Sequence, residues 1–346
     1  MAGEHRGDRA TLRRRKSWRP SARALGALIL GAVCVGLLVW VAPPADVINQ
    51  ISHMTPVWVL VAIGSELVSC LGYVIVFRRF FPEPPRAISR QVAWIAMGAG
   101  AVLPGGNISS AAATGLLLRR HGIGTRTLLH RCASLLCLLT AFGFLVNGVA
   151  GLALLVGLPG GPHDLSHTGI PILVSVAVLG GAALVAAFAR RRGDRAPRVV
   201  RGVAAGLEGA WRAARAPHWR LLGAAGFLLF DMGALWAACA ATGHPIGLPA
   251  LLIAYCIGYL ATAIPMPAGI GVLDSGLAGA LVLYGFSPVA SVGAVLVYHA
   301  ISIWVPGLGG LIAWLPTRRR RVGQRAVAAL PTLGALRLAG AADAEG

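Results

Sequence analysis

The sequence predicts an all-α polytopic membrane protein, with about six transmembrane helices and two opposed re-entrant helical hairpins that suggest an inverted repeat. Three observations carry that expectation. Of 346 residues, 56% are hydrophobic and 12% charged, and a mean hydropathy of +0.72 lies outside the soluble range. The formal charge of +19 is gathered into arginine blocks with long uncharged apolar runs between them. Two of the apolar regions are broken near their middles by proline and glycine.

The order of elements begins with a basic arm, residues 1–21, holding Arg13, Arg14, Arg15, Lys16 and Arg19. The apolar stretch that follows, 22–42, is too long for a secretory signal and has no small-residue cleavage pattern, so it reads as a first span. A helix rises about 1.5 Å per residue, and crossing a hydrocarbon core of roughly 30 Å takes ~20 apolar residues. By that measure residues 57–77, 132–157, 170–189, 221–242 and 289–315 also cross.

The first broken region, Ile88 to Leu118, is interrupted by Leu103-Pro104-Gly105-Gly106-Asn107. The second, Leu248 to Tyr284, is interrupted by Pro265-Met266-Pro267-Ala268-Gly269-Ile270-Gly271. Proline removes a backbone donor and glycine accepts the dihedrals of a reversal, so each break ends one helix and starts another. The shorter halves are too short to cross alone. A hairpin that enters and returns fits them, and the alternative is a pair of kinked full spans in each region.

Loop charge sets orientation. Arg78, Arg79, Arg86 and Arg90 lie before and at the start of the first hairpin, and Arg119, Arg120, Arg126 and Arg131 follow it, so both its ends face the cytoplasm. The connections flanking the second hairpin, His244 to Gly247 and Gly285 to Pro288, carry no lysine or arginine, so that hairpin opens outward. The last span runs into Arg318, Arg319, Arg320 and Arg321, and the N- and C-termini are both expected in the cytoplasm. Residues 22–316 then form one transmembrane domain. Within it the basic segment 190–220 includes a helix with Val199, Val203, Leu207 and Trp211 on one side and Arg201, Glu208, Arg212 and Arg215 on another, suited to the surface of an anionic leaflet. Residues 317–346 are a basic, then low-complexity, cytoplasmic tail.

Several function classes are excluded or left unsupported. A basic nucleic-acid binder would interleave its arginines with aromatic and polar residues on a soluble fold, and the apolar runs leave no place for one. Cys34, Cys70, Cys132, Cys137, Cys239 and Cys256 lie in apolar segments without a CxxC pair, as small core hydrophobes. No HExxH, GxSxG or DxD occurs. His163, Asp164 and His167 sit in a polar loop that needs no metal to explain it, and no metal or cofactor is expected.

Ionisable groups at bilayer depth are costly and therefore informative. Glu66, Asp231, Asp274 and His299 are such groups. Asp274 directly follows the second break, in the first turn of a half-helix, where the macrodipole favours a carboxylate. It suits either a cap or a group that meets a cationic headgroup or a proton. His299, beside Tyr298, lies within the last span, as a core hydrogen-bonding residue or a substrate contact. Glu66 and Asp231 read first as helix-to-helix hydrogen-bonding residues. Around the first break, Gly105, Gly106, Asn107, Ser109 and Ser110 open a half-helix whose amides and hydroxyls suit a phosphate. Pro104, Pro265, Pro267, Gly269 and Gly271 shape the two breaks. Arg119, Arg120 and Arg131 stand where they could recruit an anionic headgroup, or serve only to set topology.

The stretch "AIPMPAGIGVLDSGLAGALVLYGFSPVASVGAVLVYHAISIWVPGLGGLIAWL", residues 263–315, and "LPGGNISSAAATGLLLRRHGI", residues 103–123, resemble the flippase-like membrane domain of lysylphosphatidylglycerol synthases. With the span pattern, the likeness covers most of residues 22–316. It implies movement of an anionic or aminoacylated phospholipid between leaflets, and the arginine-rich, alanine-rich, lysine-poor composition suggests a bacterial inner membrane. No aminoacyl-transferase domain is expected to follow, so the likeness is to the stand-alone form. Two positions depart from the family's usual pattern: Asp274 where glutamate is usual, and His299 where arginine is usual. A histidine replaces a permanent cation by one that titrates near neutrality. The rival readings are a transferase acting on lipid-linked substrates and a non-transporting partner of another membrane protein. A homo-oligomer is compatible with either.

Overall fold

The computed structural model describes residues 36, 39, 40, 42–103, 105–156, 165–216, 218–244, 246–261 and 272–342. Every regular element among them is helical. In chain order these are α1 (Pro44–Ser52), α2 (Pro56–Phe80), α3 (Arg86–Val102), α4 (Asn107–Leu118), α5 (Thr125–Leu155), α6 (Leu165–Arg192), α7 (Arg198–Arg215), α8 (Leu222–Ala241), α9 (Leu248–Ala261), α10 (Val272–Leu283) and α11 (Pro288–Ala342). Short 3-10 turns at Arg119–His121, Gly193–Arg195 and Trp219–Leu221 join some of them.

Five of these helices are long and apolar enough to cross a membrane: Pro56–Phe80, Thr125–Ala153, Ile172–Arg195, Trp219–Ala241 and Pro288–Pro316. They coincide with five of the six spans expected from sequence. The sixth, 22–42, falls almost wholly outside the described residues. Helix α1 was not expected. Its proline at the first turn starts the helix where the missing amide costs nothing, and Gln50 holds it to the far end of α8 by donating to the Thr242 carbonyl at 3.3 Å. The last helix continues to Ala342, past residue 317 where a tail was expected.

Two helix pairs pack with their backbones nearly touching. On α2 and α8 a methyl group placed on Gly72 would lie 2.5 Å from the Phe227 amide nitrogen and 2.7 Å from the Gly223 carbonyl oxygen. The Ser69 hydroxyl adds a 2.8 Å hydrogen bond to the Phe227 carbonyl across the same seam. On α3 and α11, Gly310 sits so close that its added methyl would lie 2.9 Å from the Gly98 Cα. There Gln91 donates to the Ala313 carbonyl at 2.7 Å. Within a membrane no hydrophobic drive separates helix from lipid, so close packing of small residues and such hydrogen bonds hold the bundle together.

The two broken regions each fold as a pair of helices packed on one another, α3 with α4 and α9 with α10. The 12 residues of α4 extend about 18 Å at the α-helical rise. At the first break the chain reverses through Gly105 and Gly106, whose φ angles of 102° and 47° favour glycine. Pro104 and the second break, with Pro265, Pro267, Gly269 and Gly271, lie outside the described residues.

Several arginine-bearing helix ends collect around the C-terminal end of α2. The end of α2, the start of α3, and the turn leading into α8 share one cavity there. The same end of α2 shares a second with α5 and α7. Helix α7 forms as expected but ends at Arg215, short of residue 220, where Pro217 follows and disfavours helix in the residue before it. Its small-residue face, with Gly206, Ala210 and Ala213, is buried, while Val199 and Trp211 stand exposed.

Candidate functional site

The four ionisable residues singled out at bilayer depth, far apart in the chain, converge in the interior. Glu66 comes from α2, Asp231 from α8, Asp274 from α10 and His299 from α11. Glu66, Asp274 and His299 are only 5%, 5% and 6% exposed.

The cluster divides into two carboxylate centres. At the first, Asp231 accepts a hydrogen bond of 2.5 Å from the Tyr255 hydroxyl of α9. It accepts another of 3.0 Å from the Tyr298 hydroxyl of α11. Asp231 is thus a helix-to-helix hydrogen-bonding residue, as expected, and ties three helices together. Glu66 faces Asp231 across the α2–α8 seam. Its Oε1 meets the Cys70 thiol at 3.8 Å, while its buried Oε2 receives no donor among the described residues. Ionised carboxylates only accept, so the contact between Glu66 and Asp231 becomes a hydrogen bond when one of the two carries a proton.

At the second centre the His299 Nδ1 pairs with Asp274 Oδ1. The buried positions of both side chains exclude water from the pair. Asp274 opens α10 in its first turn, where the helix N-terminus also favours it. Tyr298 and His299 are consecutive in the chain and point toward different carboxylates, and Asp274 remains within electrostatic range of Tyr298. The two centres are therefore neighbours joined through α11.

The first break lies along the same face of α2. Tyr73 stands two helical turns beyond Glu66, about 10 Å along the axis, with its hydroxyl facing the Ser110 side chain of α4. At the start of α4 the Ile108 amide donates to the Gly105 carbonyl at 2.8 Å, and the Ser110 amide to the Gly106 carbonyl at 3.0 Å. Of the amides proposed from sequence to hold a phosphate, that of Ser110 is thus engaged within the turn. Asn107 is exposed, and Ser109 is half-buried with an interaction of its own.

The three arginines expected to recruit a headgroup are not brought together as a set. Arg119 and Arg120 are exposed at the 3-10 end of α4. Arg131 instead forms a two-pronged pair with Glu83, at 2.7 and 2.6 Å, which holds the Glu83 carboxyl below its ordinary range. Among the described residues no group of three or more His, Cys, Asp and Glu could hold a metal ion. His163 and Asp164 lie outside those residues.

The convergence of Glu66 and Asp231 with the Asp274–His299 pair was not readable from spacing, because α2 and α8 are distant in sequence. The signal available was chemical: all four residues are ionisable groups in otherwise uncharged apolar runs.

The family model described as "Lysylphosphatidylglycerol synthase TM region" matches residues 24–310. The match takes in both broken regions and every residue of the buried cluster. No curated protein matches the chain.

Proposed function

The chain belongs to the lysylphosphatidylglycerol synthase TM-region family, and from that premise we propose that this multi-pass membrane protein is a phospholipid flippase or a transporter of lipid-linked groups. The observation that carries the reading is the buried cluster of Glu66, Asp231, Asp274 and His299. Ionisable side chains at bilayer depth ordinarily mark a substrate or ion path, and here they sit beside helices too short to cross.

In this reading the two broken regions are re-entrant hairpins entering from opposite faces, the arrangement many transporters use to build a midplane site. The Asp274–His299 pair is the part that meets the headgroup. An aminoacylated phospholipid carries an ammonium group and a phosphate. The ammonium matches Asp274 and the phosphate matches a protonated His299, so that one headgroup replaces both halves of the pair. The partner is accordingly an anionic or aminoacylated phospholipid. The membrane is the bacterial inner membrane, with both termini cytoplasmic by the distribution of arginine.

The test is leaflet translocation of fluorescent phospholipids by the purified protein in liposomes, across a panel of headgroups. Translocation by the wild-type protein, reduced at least about tenfold in Asp274→Ala and His299→Ala, is expected. That factor corresponds to about 1.4 kcal/mol of lost stabilisation along the path. Equal rates in all three proteins would remove the pair from the path.

A further inference from the structure

Among the described residues, the arginine-bearing end of the bundle holds two cavities of about 410 Å³ each, and they differ in how their positive charge is balanced. In the first, Arg131 is already taken by Glu83 and Arg212 has Glu208 one helical turn before it, at 3.6 Å, which leaves Arg79 alone of its three arginines without an ion pair among the described residues. The second is lined by Arg78 from the end of α2, Arg86 and Arg90 from the start of α3, and Arg220 from the turn before α8. None of these four is in an ion pair among the described residues.

Four guanidinium groups around one small cavity repel each other, and Arg86 and Arg220 are both within electrostatic range of Arg78. The Arg78 Nε is buried and has no hydrogen-bond partner among the described residues. Arg220 is held in place from two sides. Its guanidinium lies 5.6 Å from the Trp219 ring centre, and its Nη1 donates to the Arg78 carbonyl at 3.4 Å. The remaining wall is apolar, with Val74 and Ile75 running toward the interior of the span. The cavity thus presents a fork of donors at one end, where α2 leaves its apolar stretch, and a hydrocarbon surface at the other.

We infer that this cavity binds the phosphate of an anionic glycerophospholipid. Planar guanidinium groups recognise phosphate oxygens two at a time, and a single phosphate would relieve the mutual repulsion and supply an acceptor for the Arg78 Nε. The apolar wall selects a lipid over a soluble phosphate, because it gives an acyl chain a surface to lie on. This site is separate from the Asp274–His299 pair, and binding here does not depend on the protein translocating anything.

The test is native mass spectrometry of the full-length protein released from nanodiscs of equal phosphatidylglycerol and phosphatidylcholine. Wild type is expected to retain phosphatidylglycerol at least about fivefold over phosphatidylcholine. The Arg86→Gln/Arg90→Gln variant changes only exposed side chains, and it is expected to lose that preference at an unchanged melting temperature. The Arg190→Gln/Arg191→Gln variant, exposed at the end of α6 and outside this cavity, is expected to keep it. Equal preference in wild type and the Arg86/Arg90 variant would overturn the site. A second arm compares thermal stabilisation by dihexanoyl-phosphatidylglycerol with that by inorganic phosphate at the same concentration. Equal stabilisation would overturn the lipid as occupant, and stabilisation by the lipid alone supports it. Neither arm reads translocation, so failure here leaves the flippase reading standing.

Discussion

Glu83 and Arg131 show what single residues contribute at the basic end of the bundle. Hydrogen bonds from Arg131 lower the Glu83 carboxyl from its ordinary 4.5. A carboxyl whose folded value is depressed stabilises the fold fully above its unfolded value, and loses that contribution as pH falls through the folded one. The pair is half-exposed, so screening keeps its worth below about 1 kcal/mol. Glu83→Gln should therefore lower the melting temperature slightly at neutral pH and leave a shallower loss of stability below pH 4.5 than wild type shows. Thermal unfolding followed from pH 7 to pH 3.5 reads both effects, and identical slopes would mean that the pair does not contribute. Legibility also divides residue by residue. Asp274 and His299 were visible as candidates because each interrupts an apolar run, but their pairing was not, since α10 and α11 could meet in several registers. Asp231 was read rightly as a hydrogen-bonding residue, while its donors, Tyr255 and Tyr298, were hidden because tyrosine is unremarkable in a span.

At the scale of elements, the seam between α2 and α8 is the most constrained. Gly72→Ala places a methyl group against backbone, at 2.5 Å from the Phe227 nitrogen, and backbone cannot swing aside as a side chain can. Overpacking of this kind costs roughly 1–3 kcal/mol. Gly64→Ala, on the same helix with nothing within 4 Å of the added group, should be neutral or slightly stabilising through helix propensity. Melting temperatures of the two variants in detergent check the contrast, and a Gly72→Ala protein as stable as Gly64→Ala would show that the seam yields. The helices themselves were legible, since length and hydropathy select a span. Their partners were not. Glycine is common in membrane helices, and nothing in the pattern around Gly72 or Gly98 says which helix approaches it.

For the whole molecule, the re-entrant reading has the α3–α4 pair enter and return from one face, against the alternative of two kinked full spans. Both alternatives put the ends of the pair on the same side, so the break itself discriminates. In a cysteine-free background, Asn107→Cys should resist a membrane-impermeant maleimide added from outside intact cells, because a re-entrant break stops short of that face. Rapid labelling would mean that the region crosses fully. Overall class and five spans were readable because the bilayer sets a single length scale that sequence must meet. Depth at a break follows from tertiary packing, which hydropathy does not encode.

The nearly touching backbones at Gly72–Gly223 and Gly98–Gly310 have a mechanical corollary. With no side chain between them to change rotamer, the two helices of each pair can neither roll nor slide without breaking backbone contact. Each pair therefore moves as one rod. Glu66 and Asp231 ride on the first rod and Tyr298 and His299 on the second, so the bond between Asp231 and Tyr298 spans the two rods, beside the apolar packing of Ile301 on Ala62 and Ala237. If the two rods part in a working cycle, that hydrogen bond must break while each rod stays intact.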